Sequence, residues 1–189
     1  MKLIQKIGLF ISSFVPLFIL IILKEFVEIL NGNLSFNFLN SFIIIFLILL
    51  VFYGIFSCFK TKKEIEESES KIIKITFKQN VTDQHFLGYF SLFVLFAVTF
   101  EIEMYCMACV FFVVLFFIGV VYIKNDMYYV NPLINLLGYS FYDVEFVNEH
   151  QKTEKVRAFF KGRLEVGKQF HIKNKYGNFI FLLDKNDDI

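Results

Sequence analysis

From Ile7 to Leu23 the sequence carries no charge, and from Phe38 to Phe59 it again carries none. A helix needs about 20 apolar residues to cross the roughly 30 Å hydrocarbon core of a bilayer, and about 17 suffice. Both runs reach that length. A third apolar stretch, Phe86–Ile123, is broken only by Glu101 and Glu103. At about 1.5 Å per residue it is nearly twice too long for one crossing. Two helices folded back at the glutamates fit it, over 86–100 and 104–123, the first short enough to thin the bilayer locally. The first run has the basic start of a signal peptide. Its apolar core is too long for one, however, and bulky or acidic residues (Glu25, Phe26, Glu28) follow where small ones would be cleaved, so the sequence predicts a retained helix.

Composition agrees with four spans. Hydrophobic residues make up 57% of the chain, against roughly 45–50% in soluble domains. Cytoplasmic loops of membrane proteins carry the excess of lysine and arginine. Here the basic residues lie before span one (Lys2, Lys6), between spans two and three (Lys60, Lys62, Lys63, Lys71, Lys74, Lys78) and in the tail. The other two connections hold only Lys24 beside Glu25, Glu28, Glu101 and Glu103. Both termini are therefore expected in the cytoplasm. The division that follows is a transmembrane region over 1–123, with a cytoplasmic loop 60–85, and a connector and β-rich domain over 124–189.

After span four, Asn131 can N-cap a short helix with Pro132 at its first position, where a missing N–H costs nothing. Gly138 can end that helix in a left-handed conformation. Leu133, Leu136 and Leu137 would then face lipid or the bundle, with Tyr128, Tyr129 and Tyr139 at the headgroups. Four strand-like runs follow. Tyr142, Val144 and Phe146 alternate with Asp143 and Glu145; Val156, Ala158 and Phe160 alternate with Arg157 and Lys161; then come Phe170–Tyr176 and Asn178–Leu183, with turn signals at Gly162, Gly167 and Gly177. A fifth strand, Lys71–Lys78, with Ile73, Ile75 and Phe77 on one side, is expected from the central loop and should pair with the tail, because neither piece alone has much core. The preceding Lys60–Ser70 reads as a solvated helical extension or linker. The fold class is thus an all-α four-helix transmembrane bundle with a small cytoplasmic β-rich (α+β) domain.

The charge balance argues against nucleic acid as a direct ligand. The tail holds ten basic and nine acidic residues, and 60–85 holds six and five; a surface built to neutralise phosphates is clearly basic. Protein contact suits it better. Cys106 and Cys109 have the spacing of a disulfide oxidase pair, but such enzymes need a second pair to take electrons from partners, and only Cys58 remains. Small residues at a helix contact explain them. Glu101 and Glu103 are candidates for an outer-face hairpin, and two carboxylates without a partner make a weak cation site. Ser12, Ser13 and Pro16 in span one, with Gly54 and Ser57 in span two, point to close helix approach or a mild kink. His85, His150 and His171 have no metal-ligand spacing, and neither a phosphate loop nor a nucleophile–histidine arrangement is present. No catalytic, cofactor or metal site is expected, and the chain does not read as an enzyme.

Asn131-Pro132, Gly138-Tyr139 and Tyr142-Asp143-Val144, placed just after the last of four spans, resemble the KwaA family, the membrane subunits of the bacterial Kiwa anti-phage defence system. Asp143 stands where glutamate is expected. The resemblance implies an inner-membrane homo-oligomer that detects phage at the envelope, and a cytosolic DNA-binding partner, KwaB. It also makes Asn131, Pro132, Gly138, Tyr139, Tyr142 and Asp143 the candidate partner or oligomer region. Two readings from other classes stand beside it: a small oligomeric ion channel or pore-forming effector, and a quinone-coupled thiol oxidoreductase. Neither explains a β-rich cytoplasmic tail.

Overall fold

The computed structural model describes residues 3–32, 38–66, 70–100, 105–125, 127, 131–147, 153–176 and 179–184. Four long helices, α1 (Leu3–Leu30), α2 (Phe38–Glu66), α3 (Thr82–Thr99) and α4 (Tyr105–Lys124), carry the apolar runs. In α1 56% of the apolar window is buried against protein, against 22% in α2 and in α4. That difference makes α1 the central helix, with α2, α3 and α4 packed around it. Leu17, Phe18 and Ile21 of α1 are fully buried, whereas Phe52 and Phe56 of α2 and Phe116 and Phe117 of α4 face outward. In a bilayer such outward faces meet lipid at no cost.

Among the described residues three helices are long and apolar enough to cross a membrane, 3–30, 40–63 and 106–124, where the sequence predicts four. The exception is α3. It has 18 residues, and its first turn is the polar Thr82-Asp83-Gln84-His85. The remaining 86–99 rises only about 21 Å at the α-helical repeat, short of the roughly 30 Å core. Lys60–Ser70 is helical as far as Glu66, the end of α2.

The remaining elements form a five-stranded barrel. Its strands are β1 (Ser70–Asn80), β2 (Tyr139–Val147), β3 (Thr153–Lys161), β4 (Gln169–Tyr176) and β5 (Phe179–Asp184), closed in the order β1-β2-β3-β5-β4. All neighbours are antiparallel except β3 and β5. The central-loop strand does pair with the tail, and it closes the barrel. Ser70–Lys74 pairs with β4 and Ile75–Asn80 with β2, the second ladder shifting register at a bulge between Ile75 and Phe77. A bulge raises local twist, which is what lets one long strand serve two neighbours. The interior holds Ile73, Ile75, Tyr142, Val144, Phe146, Ala158, Phe160, Phe170, Ile180 and Leu182, the inward parity expected from alternation except at Phe77, which the bulge leaves exposed instead of beside Ile73 and Ile75. Leu164 joins this core from the β3–β4 connection, whose ends turn at Gly162 (φ +110°) and Gly167 (φ +88°). The Lys78 ammonium donates to the Leu164 carbonyl and holds that connection over the barrel.

Helices α3 and α4 and a short α5 (Pro132–Leu136) are inserted between β1 and β2. The barrel is therefore assembled from chain on both sides of a helical hairpin.

Candidate functional site

The strands β2, β3 and β5 have two apolar faces. One lines the barrel. The other presents Phe141, Phe159, Phe179 and Phe181, and these rings belong to the same core as Leu9, Phe10, Phe14, Leu17 and Ile134. The barrel is thus seated on the helices through a shared core. Register sets the aromatic cluster: Phe141 lies opposite Phe159, and Phe159 beside Phe181. Their ring centroids are 5.1 Å and 4.8 Å apart, and Phe179 meets Phe159 edge-on at 5.9 Å. Phe159 is fully buried.

Two polar fixtures hold this seat. At the start of α3 the Thr82 hydroxyl accepts from the Phe141 N–H at 2.7 Å and donates to its carbonyl at 3.2 Å, while the Val81 N–H donates to the same carbonyl at 3.1 Å. The Asn80 side chain accepts from the Thr82 N–H at 3.0 Å. The second fixture is Asn131, which is 0% exposed. Its Oδ1 accepts from the N–H groups of Leu133 (3.0 Å) and Ile134 (3.4 Å), capping α5. Its Nδ2 donates to Ser12 Oγ at 2.6 Å and to the Leu9 carbonyl at 3.3 Å, both on α1. Both amide protons and both lone pairs of the side chain are engaged. One residue ties the α5 cap to the central helix.

At the same level α1 and α2 touch backbone to backbone. A Cβ at Gly54 would lie 3.1 Å from Ser12 Cα and 2.6 Å from Val15 Cγ2, and one at Gly8 would lie 1.9 Å from Ser57 Oγ. Pro16 offers no N–H to the Ser12 carbonyl one turn back, and the hydroxyls of Ser12 and Ser13 donate to the carbonyls of Leu9 (2.8 Å) and Phe10 (2.7 Å). At the far end of the bundle the Lys24 ammonium donates to the Val98 carbonyl at 3.3 Å and to that of Phe100. A cation there also suits the negative C-terminal end of α3.

The outward face of the barrel away from the seat is charged in both senses. Lys155 and Glu145, opposite one another across β2 and β3, approach to 2.6 Å, and Arg157 and Asp143 to 3.7 Å. The Glu145 hydrogen bond and charge raise the Lys155 pKa. The Glu165 carboxyl is lowered by its hydrogen bond and charge contact with Lys168, 2.8 Å away. Five-stranded Greek-key barrels of the kind that bind oligonucleotides use the β2–β3 face. Here Phe141 and Phe159 turn part of that face to the bundle, and the rest is charge-balanced.

The family model for the anti-phage protein KwaA matches residues 5–182, from the first turns of α1 to β5. The chain belongs to the KwaA family. No curated protein and no solved structure matches it. The KwaA match spans the helices and the barrel together, in keeping with their shared core. The structure divides the six motif residues by role. Asn131 and the buried Pro132 open α5 at the seat, and Gly138 (φ +87°) ends it, its N–H donating to Asn135 at 2.9 Å. Tyr139 meets Phe181 edge-on at 6.2 Å. Tyr142 points into the barrel, its hydroxyl donating to the Gly162 carbonyl at 3.2 Å, and Asp143 lies on the charged outer face. Of the three connector leucines, Leu133 and Leu137 pack on the helical core and Leu136 is exposed.

Glu101, Glu103, Tyr128 and Tyr129 lie outside the described residues. Cys106 and Cys109 are free and exposed on α4, and Cys58 is free and buried. Among the described residues no three metal-ligating side chains come together. Alternation alone does not reveal the outward Phe141 and Phe159. Their signal is adjacency, Phe159-Phe160 and Phe141-Tyr142, the mark of a strand buried on both faces.

Proposed function

We propose that this KwaA-family chain is a multi-pass inner-membrane sensor or scaffold subunit whose barrel presents a docking surface to a cytosolic DNA-binding effector resembling KwaB. It acts by binding and relay, without catalysis, cofactor or direct contact with nucleic acid, and it works as a homo-oligomer. The observation that carries this reading is the shared core between barrel and helices: displacement of α1 cannot leave the barrel where it was. The outward apolar faces of α2 and α4 are available to further copies of the chain.

Closure of the barrel also supports four crossings. β1 precedes α3 and β2 follows α4, yet the two strands pair. If α4 crosses the bilayer, α3 must cross with it to return β2 to the side of β1. The short α3 is then carried by its packing on α1 and by Lys24 at its far end. With the lysine-rich segments inside, both termini and the barrel are cytoplasmic.

The test is recovery of the effector from detergent-solubilised membranes. Lys155→Glu with Arg157→Glu reverses the exposed charge and leaves the aromatic seat untouched; removal of 140–189 takes away the barrel's tail strands. Both should insert into the membrane, because each span satisfies its own backbone there. Both should lose the effector. Undiminished recovery by the truncated chain would overturn the docking role.

A further inference from the structure

Helices α3 and α4 meet at one end and part toward the other. Phe96 and Phe100 of α3 lie edge-on to Phe111 of α4, at 6.2 and 4.9 Å. Nearer the barrel each helix rests on α1 instead. Phe93 meets Phe14 at 5.5 Å and Tyr122 meets Phe10 at 5.3 Å. Gly119 brings α4 so close that a Cβ there would come within 2.9 Å of the Phe10 ring. The parting leaves a cavity of about 290 Å³. Its floor is Ser13 and Phe14 of α1 and its walls are Phe93 and Tyr122, all buried; its lip is Phe117 and Val121, both exposed. It therefore opens sideways, on the outward face of α4. Phe14 is seven residues from the start of its apolar run at Ile7, Phe93 seven from Phe86, and Phe117 six from Ile123. At about 1.5 Å per residue all three lie roughly 9–11 Å inside the hydrocarbon, within the roughly 15 Å of one leaflet.

Water is a poor occupant, because an ordered water needs two to four polar partners. The side-chain hydroxyls in the lining are those of Tyr122 and of Ser13, which already donates to the Phe10 carbonyl at 2.7 Å. The space is about twice the roughly 150 Å³ apolar cavity that stays dry and takes benzene. Left empty, it would forfeit the contacts of its lining. A neighbouring helix does not fit, since one turn, 10–12 Å across and 5.4 Å high, fills about 420–610 Å³. We propose that the cavity binds one acyl chain of a bilayer phospholipid, which enters between Phe117 and Val121 and lies against Phe14 and Phe93. No charged side chain lines it, so the site takes the chain whatever the headgroup. The guest completes the packing that carries α3 and α4 on α1, the helix that shares its core with the barrel. The site needs a bilayer and no protein partner, so its test can fail while the proposed docking role stands.

The experiment uses the full chain in nanodiscs doped with phospholipid that carries a photoreactive diazirine in one acyl chain, either mid-chain or beside the ester. Each is made as phosphatidylglycerol and as phosphatidylcholine. The mid-chain probe should label Phe14 and Phe93, whose burial keeps them from the surrounding lipid, and should do so equally with either headgroup. The ester-level probe should label neither. Phe52 and Phe116, exposed on α2 and α4, should take the mid-chain label throughout and so report insertion and folding. Ile118→Trp puts an indole into the cavity from its own lining and should abolish labelling of Phe14 and Phe93 while Phe52 stays labelled. Ile118→Val leaves the space open and should keep both. If Phe14 and Phe93 stay unlabelled in the parent while Phe52 is labelled, the cavity is closed or filled by a side chain of a second copy, and the site is overturned. Labelling of Phe14 and Phe93 that persists unchanged in Ile118→Trp overturns it equally.

Discussion

Replacing Asn131 by alanine should loosen the barrel seat more than loss of a helix cap would. The cap alone contributes about 0.5–2 kcal/mol. The two bonds to α1 add about 1 kcal/mol each, offset in part because Ser12 Oγ keeps its bond to the Leu9 carbonyl. A total of about 2–3 kcal/mol follows for Asn131→Ala. Asn131→Asp separates the two functions. Aspartate caps a helix as well as asparagine, yet it has no N–H for α1 and turns a carboxylate toward the Leu9 carbonyl in a buried site. It should therefore be no better than alanine, although an isolated α5 would prefer it. Ser12→Ala removes one acceptor and should cost about 1 kcal/mol. Because Ser12 and Asn131 share a bond, the double variant should cost less than the sum of the singles. Hydrogen exchange at the Leu133 and Ile134 amides of the detergent-solubilised protein reads the cap, and the denaturation midpoint reads the seat. Additive costs, or an Asn131→Asp protein as stable as the parent, would refute the clamp.

Gly54→Ala should push α1 from α2, since the new methyl would meet Ser12 backbone at 3.1 Å and Val15 at 2.6 Å; a cost of about 1–3 kcal/mol is expected, read as a lower melting midpoint in detergent. Cys106→Ser with Cys109→Ser should leave insertion and phage protection unchanged in a plaque assay, and loss of protection by a folded double variant would revive the oxidoreductase reading. The lowered Glu165 contributes above the unfolded carboxyl pKa of about 4.3 and loses that contribution as pH falls through its lower folded value. The raised Lys155 contributes fully below the unfolded lysine pKa of about 10.4 and loses it as pH rises through its higher folded value. Those two pairs should thus make no pH-dependent contribution between about pH 6 and 9. Melting midpoints of Glu165→Gln and Lys155→Gln should accordingly run parallel to the parent across that window; a difference from the parent that varied with pH inside it would count against the assignment.

The helices were legible because uncharged length is a local property of the sequence. The start of α3 was not. It begins at Thr82, ahead of the apolar run, because Asn80 and Phe141 engage Thr82, and Phe141 is a partner from the far side of three helices. Strand parity was equally legible for Tyr142, Val144, Ala158 and Phe160, whose neighbours alternate. The outward face was not, because a strand whose second face packs on helices loses the alternation that would reveal it. The parallel pairing of β3 with β5 has no local signal either, since β4 intervenes.

Asn131 shows where reading the site from sequence stops. Asparagine before proline, with glycine at the far end, marks a capped helix, and α5 is that helix. Serine, threonine and aspartate would mark it nearly as well. None of them can accept two bonds from α5 and still offer two N–H groups to α1; the carboxamide can. The choice of asparagine becomes intelligible only with Ser12 in place, 119 positions away. Ser12 in turn reads from sequence as a small residue at a helix contact, which it is: Gly54 passes beside its backbone. Its hydroxyl is needed as well, because an alanine would fit the contact but leave one Asn131 N–H unbonded in the core. Two residues that each satisfy an ordinary local rule thus meet a second, non-local requirement. That requirement is what couples the membrane helices to the barrel.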